Sequence, residues 1–153
     1  MTAPVPGLEP AFEVHVRLGP LEDHGVTRVG HRRVIPITGG AITGGITAEI
    51  VPGGADWQIV RPDGSVEIDG RYSARTPDGA HLLLHVAGVR SGPAAVLEAL
   101  LRGDEVDPAE YYFRTAVTIE TSAPALAWLE RALFVASCIR DADAVRYTAY
   151  RVT

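Results

Sequence analysis

The stretch Trp57-Gln58-Ile59-Val60-Arg61-Pro62-Asp63-Gly64-Ser65-Val66-Glu67-Ile68-Asp69-Gly70-Arg71-Tyr72 decides how this chain folds. Pro62-Asp63-Gly64 separates two alternating runs of apolar and polar residues. That is the mark of two antiparallel strands joined by a loop longer than two residues. The second run reads as a strand from Ser65 to Thr76, with Val66, Ile68, Gly70, Tyr72 and Ala74 on one face. Glu67, Asp69, Arg71, Ser73 and Arg75 fall on the other. Upstream, Pro52-Gly53-Gly54 reads as a turn, because glycine tolerates positive φ where a Cβ would clash. Downstream, Pro77-Asp78-Gly79 leads into a strand from His81 to Val89.

The same cadence continues in both directions. Ala11 to Leu18 alternates, with Phe12, Val14, Val16 and Leu18 opposite Glu13, His15 and Arg17. A polar loop is predicted through Asp23, His24 and Gly25. Arg33 to Thr38 reads as a strand broken by Gly39–Gly40, in which Pro36 argues for an edge or a bulge. Gly45 to Val51 is a further strand. Pro93 and Gly103 bracket a helix over Ala94 to Leu101. Tyr111 to Glu120 is a strand, Ala125 to Arg131 a short helical turn, and Leu133 to Ile139 and Ala144 to Val152 close the chain as strands. Short strands spaced by roughly ten residues belong to sandwiches and barrels. The prediction is a mostly-β chain: a single antiparallel β-barrel of about eight to ten strands with one or two short helices. Residues 1–10 are expected as a flexible N-terminal arm and residues 11–153 as one barrel domain.

Composition narrows the function classes. The chain has 153 residues, of which 46% are hydrophobic and 22% charged, enough for one domain with its own core. Its net charge of −5 carries no basic footprint for nucleic acid and no basic block for an anionic membrane. No apolar run approaches the roughly 20 residues of a membrane helix, and Met1 to Pro10 lacks the features of a signal peptide. Cys138 is the only cysteine and sits in the apolar run Leu133 to Ile139, where it reads as a core residue in preference to a reactive thiol. One cysteine allows no intrachain disulfide, which fits a reducing, cytoplasmic setting. Lysine is absent, which excludes Schiff-base catalysis and lysine-bound pyridoxal phosphate. Phosphate loops, dinucleotide fingerprints and nucleophile elbows are also missing, so no cofactor is expected.

The candidate site residues lie near the central hairpin. Asp56 follows the glycine turn and precedes Trp57. A carboxylate beside a large ring in a cavity would have a raised pKa and act as a general acid or base; in a turn it would only cap backbone N–H groups. Arg71 and Arg114 fall on similar polar strand faces. They are either solvated outer residues or, inside a barrel, a clamp for anionic oxygen. His81 and His85 share a face but lie about 13 Å apart at roughly 3.3 Å per residue, too far to chelate one ion, so no metal site is predicted. His85 and His31 remain acid/base candidates.

The ordered set Gly39–Gly40, Gly53-Gly54-Ala55-Asp56-Trp57, Asp63–Gly64, Arg71–Tyr72, Asp78–Gly79, Tyr112-Phe113-Arg114 and Trp128–Leu129 resembles the bacterial and fungal domain-of-unknown-function family 3237 from about Phe12 to Val152. Gly44–Gly45 departs from the Gly-Pro usual at that turn. The resemblance implies a single lipocalin-like antiparallel barrel, often a homo-oligomer, and no established reaction. It places Asp56, Trp57, Arg71, Tyr72, Tyr112 and Arg114 at motif positions. Three functions compete. In the first, a cofactor-independent isomerase, cyclase or lyase acts on a carbonyl-bearing metabolite, with secondary metabolism as one setting. Asp56 would move a proton, Arg71 and Arg114 hold negative charge, and Tyr112 or Tyr72 donate a hydrogen bond. Trp57, Phe113, Trp128 and His85 would complete the substrate pocket. The second is a non-catalytic carrier of a small molecule, and the third an oligomerising structural subunit with a filled core.

Overall fold

The structure is a computed structural model that describes residues 1–153. Its elements run β1 (Leu8–Leu18), β2 (Glu22–Thr27), β3 (Gly30–Thr43), β4 (Ala48–Ile50), β5 (Ala55–Val60), β6 (Val66–Arg75), β7 (His81–Ser91), α1 (Ala94–Leu101), β8 (Tyr112–Glu120), β9 (Phe134–Arg140) and β10 (Ala144–Val152). Two 3-10 segments, Pro108–Glu110 and Pro124–Glu130, precede β8 and β9. Every strand pair is antiparallel, in the order β1-β10-β9-β8-β7-β6-β4-β3-β2. Pairing of β1 with β3 closes the ring. Because β4 and β5 share one position between β3 and β6, the barrel has eight strand positions. Closure leaves only the short β2 hairpin with an open edge.

The hairpin around Pro62-Asp63-Gly64 forms as predicted, with Asp63 Oδ1 accepting from Ser65 N at 3.0 Å. Helix α1 spans the predicted residues, and Gly103, just beyond its end, has a φ of +82° that suits only glycine without strain. Four local expectations differ. Pro52-Gly53-Gly54 is an interruption within one strand, not a hairpin turn, since β4 and β5 run the same way along β3. From Gly40↔Ile50 to Pro36↔Ala55, four steps along β3 face five along its neighbour, so the glycines absorb an extra residue. Gly54 sits where a Cβ would lie 2.4 Å from the Arg71 carbonyl oxygen. Gly39–Gly40 does not end β3 but lets it bend: a Cβ on Gly40 would stand 2.0 Å from the His15 carbonyl oxygen of β1. Asp23-His24-Gly25 is part of strand β2; its exposed residues show no apolar alternation because neither face is buried. Leu8 to Pro10, placed in the arm by the sequence, pair with Val152 to Tyr150 and belong to β1.

The barrel interior has two unlike ends. At one, Phe12, Ile42, Ile50, Leu82, Leu84 and Phe134 interlock. The Pro124–Glu130 segment covers them with buried Leu129, and Trp128 packs edge-on against Phe134 at 6.0 Å. Each such side chain contributes about 1.5–3 kcal/mol by leaving water. At the other end, below the connection that contains α1, the interior stays partly open.

Candidate functional site

Alternation along the strands decides which side chains reach that open interior. On β5, Asp56 and Gln58 point inward and Trp57 outward. Asp56 pairs across to Gly70 on β6, which lines the cavity without adding a side chain to it. The cavity is narrow, about 40 Å³ within its walls, and opens to solvent at its mouth. Its walls are mainly apolar, with Val16, Ile35, Ile37, Ile68, Val86 and Phe113 among them.

The polar groups form a directed chain. Asp69 N donates to Asp56 Oδ1 at 2.9 Å, and Gln58 Nε2 donates to Asp56 Oδ2 at 2.8 Å. Gln58 Oε1 in turn accepts from an Arg33 guanidinium nitrogen at 2.8 Å, which fixes which way the amide faces. Arg90 is 3% exposed and lines the cavity, its guanidinium 5.4 Å from the centre of the Phe113 ring. The Nε of Arg90 has no hydrogen-bond partner, nor has that of Arg33. Arg140 also lines the cavity; it donates to the carbonyls of Asp141 and Ala144, which ties it to the β9–β10 turn. Deeper in, the hydroxyls of Tyr72 and Tyr147 meet at 2.5 Å, beside Cys138 and Thr115.

The electrostatics follow from burial. Desolvation pushes the Asp56 carboxyl above its usual range, against the lowering effect of the Gln58 and Asp69 donors. Burial, then repulsion from Arg140 and Arg33, brings Arg90 down to about 10. Arg33 and Arg140 are lowered mainly by burial. Both tyrosines are raised by burial, and burial pushes the Cys138 thiol up to about 11, so it is protonated and unreactive at neutral pH. No group of three or more His, Cys, Asp or Glu side chains is arranged to hold a metal ion.

Of the residues singled out in the sequence, Asp56, Tyr72 and Phe113 line the cavity. The others do not. Arg71 is exposed and lies 3.6 Å from Asp69 on the outer face. Arg114 and Tyr112 are also outside, the guanidinium over the phenol ring at 5.5 Å. Trp57, 38% exposed, points away from the interior. His85 bonds Asp69 across the outer surface at 2.8 Å. Trp128 belongs to the apolar plug. The clamp expected of Arg71 and Arg114 is therefore absent, because odd and even positions of a strand face opposite ways and these two took the outer one.

Sequence reasoning missed Arg33, Gln58, Arg90, Arg140 and Tyr147. A signal for them existed: Arg90 continues the inward series Leu82-Leu84-Val86-Gly88, and Arg140 continues Phe134-Ala136-Cys138. An arginine at the end of an apolar alternation is the residue to ask about.

Together these features define a class: a closed antiparallel β-barrel with a narrow interior cavity bearing a half-buried carboxylate and an arginine cluster. The chain belongs to the family of proteins of unknown function DUF3237, whose model matches residues 6–152. It is 40% identical over 141 residues to a UPF0311 protein of Bradyrhizobium diazoefficiens, covering 92% of this chain and 93% of that one. A crystal structure of a conserved protein of unknown function from Rhodopseudomonas palustris superposes with a TM-score of 0.93 at 38% identity, covering 99% of this chain and all, 100%, of the other. A β-barrel-like protein from Acinetobacter baumannii gives 0.86 at 41% identity, covering 99% of each chain. An enzyme from Penicillium herquei shares the fold alone, with a TM-score of 0.73 at 19% identity over 100% of this chain and 99% of the other. No helix is long and apolar enough to cross a membrane.

Proposed function

We propose that the chain is a cofactor-independent acid/base enzyme, an isomerase, cyclase or lyase, acting on a small carbonyl-bearing molecule held in the barrel cavity. The observation that carries the proposal is Asp56: it lines an apolar cavity, its pKa is raised, and two donors set its orientation. A carboxylate held this way is a stronger base than one in water, and the narrow apolar walls limit the water that competes with substrate. The fold's occurrence in a protein called an enzyme agrees with this, as a likeness of fold only.

The chemistry then divides among residues of this chain. Asp56 removes a proton from the carbon beside the substrate carbonyl, and the electron pair moves onto the carbonyl oxygen to give an enolate. The Tyr72–Tyr147 pair donates a hydrogen bond to that oxygen. Arg90 and Arg140 provide the positive field that stabilises the developing charge. Protonation at another carbon completes an isomerisation, and loss of a β-substituent completes an elimination. Gln58 and Arg33 are positioning residues that hold Asp56. Each preorganised donor is worth about 2.7–4 kcal/mol of transition-state stabilisation, and the base roughly a hundred- to ten-thousandfold in rate.

The test is solvent exchange. The protein is incubated in D2O with a panel of ketones and oxo acids, and deuterium uptake beside the carbonyl is followed by NMR. Catalysed exchange that Asp56→Asn lowers at least about a hundredfold, with the melting temperature preserved, supports the proposal. Tight ligand binding without exchange, equal in both proteins, identifies a carrier instead.

A further inference from the structure

We infer that the cavity takes a carboxylate-bearing substrate, an oxo acid, with its carboxylate on Arg90 and Arg140 and its carbonyl on the tyrosine pair. This rests on the cavity being the site, as proposed above, and adds the identity of what enters it.

The charge around the cavity calls for an anion. Three guanidiniums, Arg33, Arg90 and Arg140, lie close enough to repel one another, and Asp56 is the anion among the cavity-lining residues. With Asp56 ionised, these four groups sum to two positive charges. Asp23 acts on Arg33, and Asp141 and Asp143 act on Arg140, but Arg90 meets no carboxylate other than Asp56, and a buried charge so thinly compensated is costly. Asp141, the nearest acidic neighbour of Arg140 in sequence, is taken up by Arg146, with Arg146 Nε to Asp141 Oδ2 at 2.6 Å. One carboxylate from a ligand would leave a single positive charge. That remainder is what an enolate intermediate needs.

Arg90 also carries an unmet donor. Arg90 is almost fully buried, faces the cavity, and its Nε has no partner; its only assigned contact is the Phe113 ring. A planar fork of N–H groups in that state matches a carboxylate, which accepts two parallel bonds. The narrow, mainly apolar walls disfavour a fully hydrated dianion such as phosphate.

A second unmet donor lies at the other end of the cavity. In the Tyr72–Tyr147 pair one hydroxyl donates to the other, and the accepting hydroxyl keeps a hydrogen with no partner in the chain. A buried O–H without an acceptor fits a neutral carbonyl oxygen. Tyr147 pairs with Cys138, two residues from Arg140 along β9, so head and tail of one short molecule reach both groups.

The experiment is a binding comparison with acetoacetate, 4-oxopentanoate and 4-acetylbenzoate, each beside its neutral amide, by calorimetry on the intact protein. At least one acid is expected to bind in the millimolar range or tighter, and its amide about tenfold or more weaker. Arg90→Met should abolish the preference for acid over amide, and Tyr147→Phe should weaken the oxo acids relative to the same acids without the ketone. Inorganic phosphate should not bind. Amides that match their acids, phosphate that matches the acids, or no binding by any acid would each overturn the inference; the wild-type acid–amide pair decides it even if a variant fails to fold. Acid-selective binding without catalysed exchange would sink the acid/base proposal and leave the carboxylate site standing. Exchange that is as fast with amides as with acids would do the reverse.

Discussion

The two ends of the barrel are built from the same strands and obey opposite rules. At the plugged end, Phe12, Ile42, Ile50, Leu82 and Phe134 fill the interior and gain from every contact. At the cavity end, the same inward register carries Arg33, Asp56, Gln58, Arg90 and Arg140, groups whose burial opposes folding. The comparison teaches where the stability of this fold comes from and where it is surrendered. One end holds the sheet closed, and the other holds charge in a state that water would relax. Such a division is what a preorganised site requires, since donors fixed before the substrate arrives need no rearrangement during reaction.

Mutations can break or sharpen that contrast. The largest effect belongs to the plug: Phe134→Ala should lower stability by about 3–5 kcal/mol in urea unfolding, because the space left cannot collapse inside a closed ring. A loss below about 1 kcal/mol would mean that the plug is not what holds the barrel. At the cavity end the sign reverses. Arg90→Met removes a desolvated charge and its repulsion from Arg33 and Arg140 without breaking a hydrogen bond of its Nε, and should raise stability by about 1–3 kcal/mol. A destabilised variant would show that Arg90 is structural.

A smaller effect is expected from pH. The folded-state pKa of Asp56 lies above its unfolded value, so between the two the folded chain holds more protons. Stability from this group is therefore highest at acid pH and falls as pH rises from about 4 through the folded pKa. Asp56→Asn has no proton to lose, and its stability should gain on wild type across that window; parallel unfolding curves would contradict the raised pKa. The smallest effects belong to the outer face. Arg71→Ala and Arg114→Ala should shift stability by no more than about 0.5 kcal/mol and leave oxo-acid binding unchanged. A loss of binding in either would return the anion clamp to the outer face.

Much of the barrel was legible before any coordinates. The Asp63–Gly64 and Asp78–Gly79 hairpins, helix α1 and strand β10 follow from turn chemistry and periodicity, which act between near neighbours. Strand β2 was not legible, because Glu22 to Thr27 buries neither face and leaves no alternation to read. The interruption at Pro52 to Gly54 was misread for a related reason: a glycine pair marks a break in regular pairing but does not say whether the chain then reverses or continues. Asp56 was identified through its place after that break.

Local sequence thus determined the strands, the turns, and which residues of each strand share a face, because side-chain direction alternates whatever the surroundings. Which of the two faces became the interior was settled only by closure of the ring. Closure turned Asp56 inward and Arg71 outward, and it brought Arg33, Arg90 and Arg140 together from three strands far apart in the chain. No spacing along the sequence encodes that meeting. Its cause is the long-range pairing of β1 with β3 and β10, which the whole chain must fold to make.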